Sequence, residues 1–267
     1  MKRLTTLAMV LVLAATLFAS GCSPSVRAAA PTTSRTELRV SAATTLKRAF
    51  EEMEPAFEAA NPGVDVVFNF GASGVLQKQI EAGAPCDVFA SASPKQVDAL
   101  VSGGYVSAED TATFCGNEVA IVVPAGNPAG VSGPQDLAGL DRLTTGNPET
   151  APHGTKAKEW LTNLGLWDSL APKLVFAENA AQTLDYVSRG EVDAGLVFAS
   201  EATSQSSVEI AYTAPASELT SPIRYVMAPT VSTSDSSTAS AFVAYVLSAD
   251  GQATLAKWGF VPVTDTK

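Results

Sequence analysis

Two loops of small residues, each joining a β-branched run to a helical run, restrict this chain more than anything else in it. The first is Ser41-Ala42-Ala43-Thr44-Thr45, ahead of a helical run over 46–60. The second is Gly71-Ala72-Ser73-Gly74, ahead of a run over 75–82. Both offer hydroxyls and backbone N–H groups that precede the first helical hydrogen bond, and neither contains Lys or Arg. Fixed donors and helix dipoles of this kind suit a small, fully ionised oxyanion.

The same strand-then-helix order continues along the chain. Strand patterns fall at 38–41, 64–70, 87–91, 118–124, 142–145, 173–177, 193–199, 208–212 and 223–228. Between the first two, Leu46, Ala49, Phe50, Met53, Phe57 and Ala60 recur at helical spacing on one face. Further helices are expected at 94–103, 154–164, 239–247 and 252–258, and one after Asn179, whose side chain is a natural N-cap. This alternation predicts an α/β protein with mostly parallel sheets flanked by helices. Two further strand-to-helix loops, 146–154 and 178–181, match the first pair. In open α/β sheets ligands sit beyond the carboxyl ends of the strands, so two loops from each of two lobes would enclose a small anion.

The first 21 residues read as a lipoprotein signal peptide: Lys2 and Arg3, an apolar run over 4–18, then Ala19-Ser20-Gly21-Cys22. Cys22 is then the expected site of lipidation and 22–36 a flexible tether, which places the working protein outside the cytoplasm on a lipid anchor. The chain carries 17 basic and 27 acidic residues for a net −10, and loss of Lys2 and Arg3 takes that to −12. Such a charge argues against nucleic acid as a partner and against long-range attraction of anions. Cys86 and Cys115 lie in the folded part, where an oxidising setting permits a disulfide between them; two separate buried thiols are the alternative. One His and no ligand-spaced cysteines speak against a structural metal site.

A set of motifs in fixed order carries a resemblance. Val40-Ser-Ala-Ala-Thr-Thr-Leu46, Phe70-Gly-Ala-Ser-Gly-Val-Leu76, Ile80-Glu-Ala-Gly-Ala-Pro-Cys-Asp87, Gly146-Asn-Pro-Glu149, Gly190-Glu-Val-Asp-Ala-Gly-Leu-Val-Phe198 and Gly259-Phe260 run through nearly all of 37–263. In these the chain resembles the substrate-binding lipoproteins of molybdate ABC transporters, which have the type II periplasmic-binding-protein fold. The resemblance implies two lobes, with 37–118 plus 229–267 as lobe I, 119–228 as lobe II, and hinge strands near 118–124 and 223–228. It also implies an oxyanion site in which Thr45 and Ser73 give hydroxyls while His153 and Ala180 give backbone N–H groups. The fifth position is usually a Tyr hydroxyl, and Phe198 stands there. Molybdate or tungstate would be bound as an oxyanion, with no direct metal ligand and no cofactor, by a monomer that delivers it to a membrane permease.

A sulfate carrier is the neighbouring alternative. An enzyme is the remote one: Gly71-Ala72-Ser73-Gly74 has the outline of a nucleophile elbow around Ser73, but Val75 stands where the last Gly is needed.

Overall fold

The computed structural model describes residues 35–263 apart from Thr150 and Ser204. The signal peptide, Cys22 and all of the expected tether but its last two residues lie outside the described residues; Thr36 already belongs to the first strand. The chain enters through β1 (Thr36–Ala43), α1 (Lys47–Ala60), β2 (Val64–Gly71), α2 (Ser73–Glu81), β3 (Val88–Ser91) and α3 (Pro94–Ser102). β4 (Ala112–Asn117) runs into β5 (Val119–Pro124) with only Glu118 between them. There follow β6 (Leu143–Gly146), α4 (Pro152–Asn163), α5 (Trp167–Leu170), β7 (Leu174–Ala177), α6 (Ala180–Ser188), β8 (Ala194–Phe198), α7 (Ala199–Ala202) and β9 (Val208–Thr213). The last part is β10 (Ile223–Pro229), α8 (Ser236–Leu247), α9 (Ala249–Lys257) and β11 (Val261–Pro262).

The strands form two sheets, ordered β11-β4-β10-β3-β1-β2 and β7-β6-β8-β5-β9. β1 pairs in parallel with β2 and β3, and β6 with β7 and β8; every other strand pairing is antiparallel. The sheets are therefore mixed, where the periodicity predicts mostly parallel ones. Parallel neighbours need a crossover, usually a helix, and the links β4–β5 and β9–β10 contain no α-helix. These links carry the chain from one sheet to the other and back.

The return link also moves a boundary. Residues 223–228, expected inside lobe II, form β10 between β3 and β4 of the first sheet, with Tyr225 opposite Cys115 and Met227 opposite Ala90. The second crossing thus lies in 214–222. β10 also decides the cysteines. Both thiols are free and buried, Cys115 on β4 and Cys86 just before β3, with β10 between those strands. Two strand spacings are about 10 Å, beyond the ~7 Å Cα separation that a disulfide tolerates. Of the two alternatives open from the sequence, the structure has the separate buried thiols and not the disulfide.

The buried stripe of α1 is Ala49, Phe50, Met53 and Phe57. It meets Phe242 of α8, whose ring stands edge-on to Phe50 at 5.7 Å and to Phe57 at 5.2 Å. The C-terminal helices thereby close over the first sheet. Lys257 and Trp258 both bond Glu52 of α1 from the end of α9. Among the described residues no helix is long and apolar enough to cross a membrane.

Candidate oxyanion-binding site

Register places the loops. β1 and β2 run in step to their ends, Ala43 opposite Gly71, so the turns that carry Thr45 and Ser73 leave one sheet edge side by side. In the second sheet Gly146 lies opposite Ala177 and Thr145 opposite Leu196, so β6, β7 and β8 end at a common edge. His153, Ala180 and Phe198 follow from it. A hydrogen-bonded path joins the two edges: Thr45 to Tyr225 at 3.2 Å, Tyr225 to Asn117 at 3.3 Å, Asn117 to Ser200 at 2.8 Å. Ser200 lies in α7, directly after β8.

Neither first-sheet hydroxyl caps its own helix. Ala43 and Ala72 occupy the N-cap positions, without side-chain caps. Ser73 Oγ accepts the Ala92 N–H at 3.0 Å. A hydroxyl that accepts in this way keeps its proton for another acceptor. The first α2 bond to Ala72 O is from Val75 N–H at 2.8 Å, so the N–H groups of Ser73 and Gly74 precede it. On the second sheet, Asn179 Oδ1 caps α6 through Gln182 N–H at 3.0 Å. The first helical bond there is Thr183 N–H to Asn179 O, which leaves the N–H groups of Ala180 and Ala181 without an intrahelical partner.

His153 is the second residue of α4 and only 3% exposed. Its ring packs edge-on to Phe198 at 6.2 Å and over Gly146, where an added Cβ would stand 2.4 Å from Nε2. Burial lowers its pKa to about 4. The imidazole is neutral at physiological pH and brings no cation to an anion; what α4 offers there is its amide end. Phe198 is buried as well, and its N–H goes to Glu201 Oε2 at 3.0 Å. It supplies neither a hydroxyl nor an amide proton. Tyr225, Asn117, Ser200 and Glu201 carry no sequence motif; the one local sign is a Tyr in the apolar run of β10.

Burial raises Glu201 to about 7, against the lowering effect of the Phe198 N–H. Its native form therefore holds a proton that the unfolded chain has lost between the ordinary 4.5 and about 7. Stability from this group is present below 4.5 and lost as pH rises through 7. His153 has the opposite slope: the unfolded chain binds the proton between 6.5 and about 4, so its contribution is lost as pH falls through that range. The two offset each other in wild type. Glu201→Gln is expected to leave stability unchanged at pH 4 and raise it by about 2–3 kcal/mol at pH 8, measured by urea unfolding at both. Parallel pH curves for the two proteins would contradict this.

Comparison with known proteins follows the same outline. The family model for bacterial extracellular solute-binding proteins matches residues 38–261. The chain is 34% identical over 248 residues to YvgL of Bacillus subtilis (strain 168), named for ABC transporter substrate-binding lipoproteins, across 93% of this chain and 95% of YvgL. It is 36% identical over 185 residues to the molybdate-binding protein ModA of Escherichia coli (strain K12), across 67% of this chain and 72% of ModA. A solved structure described as the substrate-binding domain of a molybdenum ABC transporter from Clostridium difficile aligns with a TM-score of 0.80 at 33% identity. That alignment covers 85% of this chain and 99% of the other.

Proposed function

The chain belongs to the bacterial extracellular solute-binding protein family, and from that membership we propose that it captures molybdate for an ABC importer, outside the cytoplasm. The observation that carries the reading is the pair of strand edges: each is lined with hydroxyl or amide donors, and a hydrogen-bonded path joins them. Thr45, Ser73 and the amides of His153 and Ala180 are the proposed donors. The anion docks on one lobe and draws the other over it by bending at the two links between the sheets. The closed form is what a membrane permease reads.

Selectivity follows from donor chemistry. Phosphate is partly protonated near neutral pH and needs an acceptor, so a site made only of donors rejects it. Sulfate is excluded by size alone. Tungstate nearly matches molybdate in charge and size and is bound alongside it. Cys22 is the proposed lipid anchor, supported by its signal-like leader and by the lipoprotein name of YvgL, and the working form is a monomer. A hydrolase centred on Ser73 is set aside: its hydroxyl partner is a backbone N–H, and the lone imidazole is buried at the edge of the other sheet.

The test is calorimetric titration of the purified chain at pH 7 with molybdate, tungstate, sulfate and phosphate. Sub-micromolar binding of the first two alone is expected. Tight sulfate or phosphate binding would transfer the protein to another oxyanion, and no binding at all would defeat the reading. Ser73→Ala is expected to weaken molybdate by about 10- to 100-fold, the worth of one hydrogen bond to a charged group.

A further inference from the structure

At the junction of the sheets, backbone N–H groups dictate which way the Asn117 side chain is turned. Asn117 Oδ1 accepts the Glu118 N–H at 3.0 Å and the Ser200 N–H at 3.5 Å. The amide nitrogen is therefore the donor, and both its protons are in use, one on Ser200 Oγ at 2.8 Å and one on the Tyr225 hydroxyl at 3.3 Å. Tyr225, fully buried, accepts from Asn117, and Thr45 Oγ1 at 3.2 Å is the one acceptor among the described residues for its own proton. Either hydroxyl can donate there, and the arrangement that leaves no buried donor unpaired has Tyr225 donating. Thr45 is left with a proton to donate. So is Ser200, whose hydroxyl hydrogen has no acceptor among the described residues. The path thus has two donating ends, one beyond β1 of the first sheet and one beyond β8 of the second.

We propose that Ser200 is a hydroxyl ligand of the oxyanion from the second lobe, with Asn117 and Tyr225 as positioning residues that aim both donating ends. This rests on the oxyanion reading of the site. Ser200 is held from both sides: Asn117 grips its side chain and amide, and Gly259 packs against its backbone so closely that a Cβ there would stand 3.1 Å from Ser200 Cα. At the carboxyl end of β8 the aromatic Phe198 has no hydroxyl and has spent its N–H on Glu201, whereas Ser200, two residues on, keeps a hydroxyl proton to donate. Because the bonds run outward from Asn117 along both branches, each polarises the next, and the terminal hydroxyls donate more strongly than isolated ones.

The test compares Ser200→Ala, Ser200→Thr and Tyr225→Phe by calorimetric titration of the full chain with molybdate, with thermal midpoints measured in its absence. Ser200→Ala is expected to weaken binding by about 10- to 100-fold with an unchanged midpoint. Ser200→Thr, which keeps the hydroxyl, is expected to stay within about threefold of wild type, and Tyr225→Phe to weaken binding by about 3- to 10-fold through Thr45. Wild-type affinity in Ser200→Ala beside a weakened Ser73→Ala would overturn the assignment. So would a loss in Ser200→Ala that comes with a lowered midpoint and is not restored by Thr. A wild-type chain that fails to bind molybdate would instead remove the oxyanion reading itself, before any variant is compared.

Discussion

Gly154→Ala is expected to damage both the fold and the site. Gly154 is the third residue of α4, buried, and a Cβ added to it would stand 2.0 Å from Gly146 O and 2.5 Å from Gly146 C. Those atoms are backbone at the end of β6, which cannot rotate aside as a side chain would. The first turn of α4 lies directly on the strand end, and only a hydrogen fits between them. Any side chain must lever the helix away, at a cost of about 3 kcal/mol for forced overpacking. The same movement displaces the His153 amide from the edge it shares with Ala180, so molybdate affinity is expected to fall by at least about 10-fold. Gly139→Ala is the control: nothing lies within 4 Å of a Cβ there. Urea unfolding and molybdate titration of the two variants check the prediction, and a Gly154→Ala protein with wild-type stability and affinity would refute it.

Phe242→Ala is expected to separate stability from binding. Phe242 is fully buried on α8, edge-on to Phe50 and Phe57 of α1, and within 6.3 Å of Phe68 on β2. Truncation leaves a cavity between elements that hold one another in place, and comparable losses of a buried aromatic cost about 3–5 kcal/mol. For a chain of this size that lowers the thermal midpoint by on the order of 10 °C. None of the proposed donors touches this cluster, so molybdate affinity of the folded protein is expected to stay within about twofold of wild type, well under the 1.4 kcal/mol of a tenfold change. A large change in affinity would show that the packing of α8 reaches the site.

Local reading captured most elements and, of the candidate site, the two first-sheet loops but not the path through Tyr225, Asn117 and Ser200. The stripe on α1 is legible because burial on one side of a helix imposes the 3.6-residue period on the sequence. The Asn179 cap was legible because a cap acts within three residues. The loops of Thr45 and Ser73 announced themselves by composition, since small residues and hydroxyls at a helix start are a local signature. His153, Ala180 and Phe198 entered through family resemblance, and at Phe198 the structure spends the amide on Glu201. β4 and β11 were missed, being short pieces whose identity rests on the neighbours they pair with.

By itself the sequence determined the α/β class, the order of strands and helices, and the small-residue turns at the strand ends, because each of these is decided by contacts within a few residues. Tertiary structure alone decided which strands pair, and with it that the sheets are mixed. It inserted β10 between β3 and β4, which parted Cys86 from Cys115. It also brought Thr45 to Tyr225, 180 positions away, and Asn117 to Ser200, 83 positions away. Pairings over such distances are chosen by the fit of whole buried faces and by the need to satisfy every buried polar group at once. No stretch of local pattern carries that information.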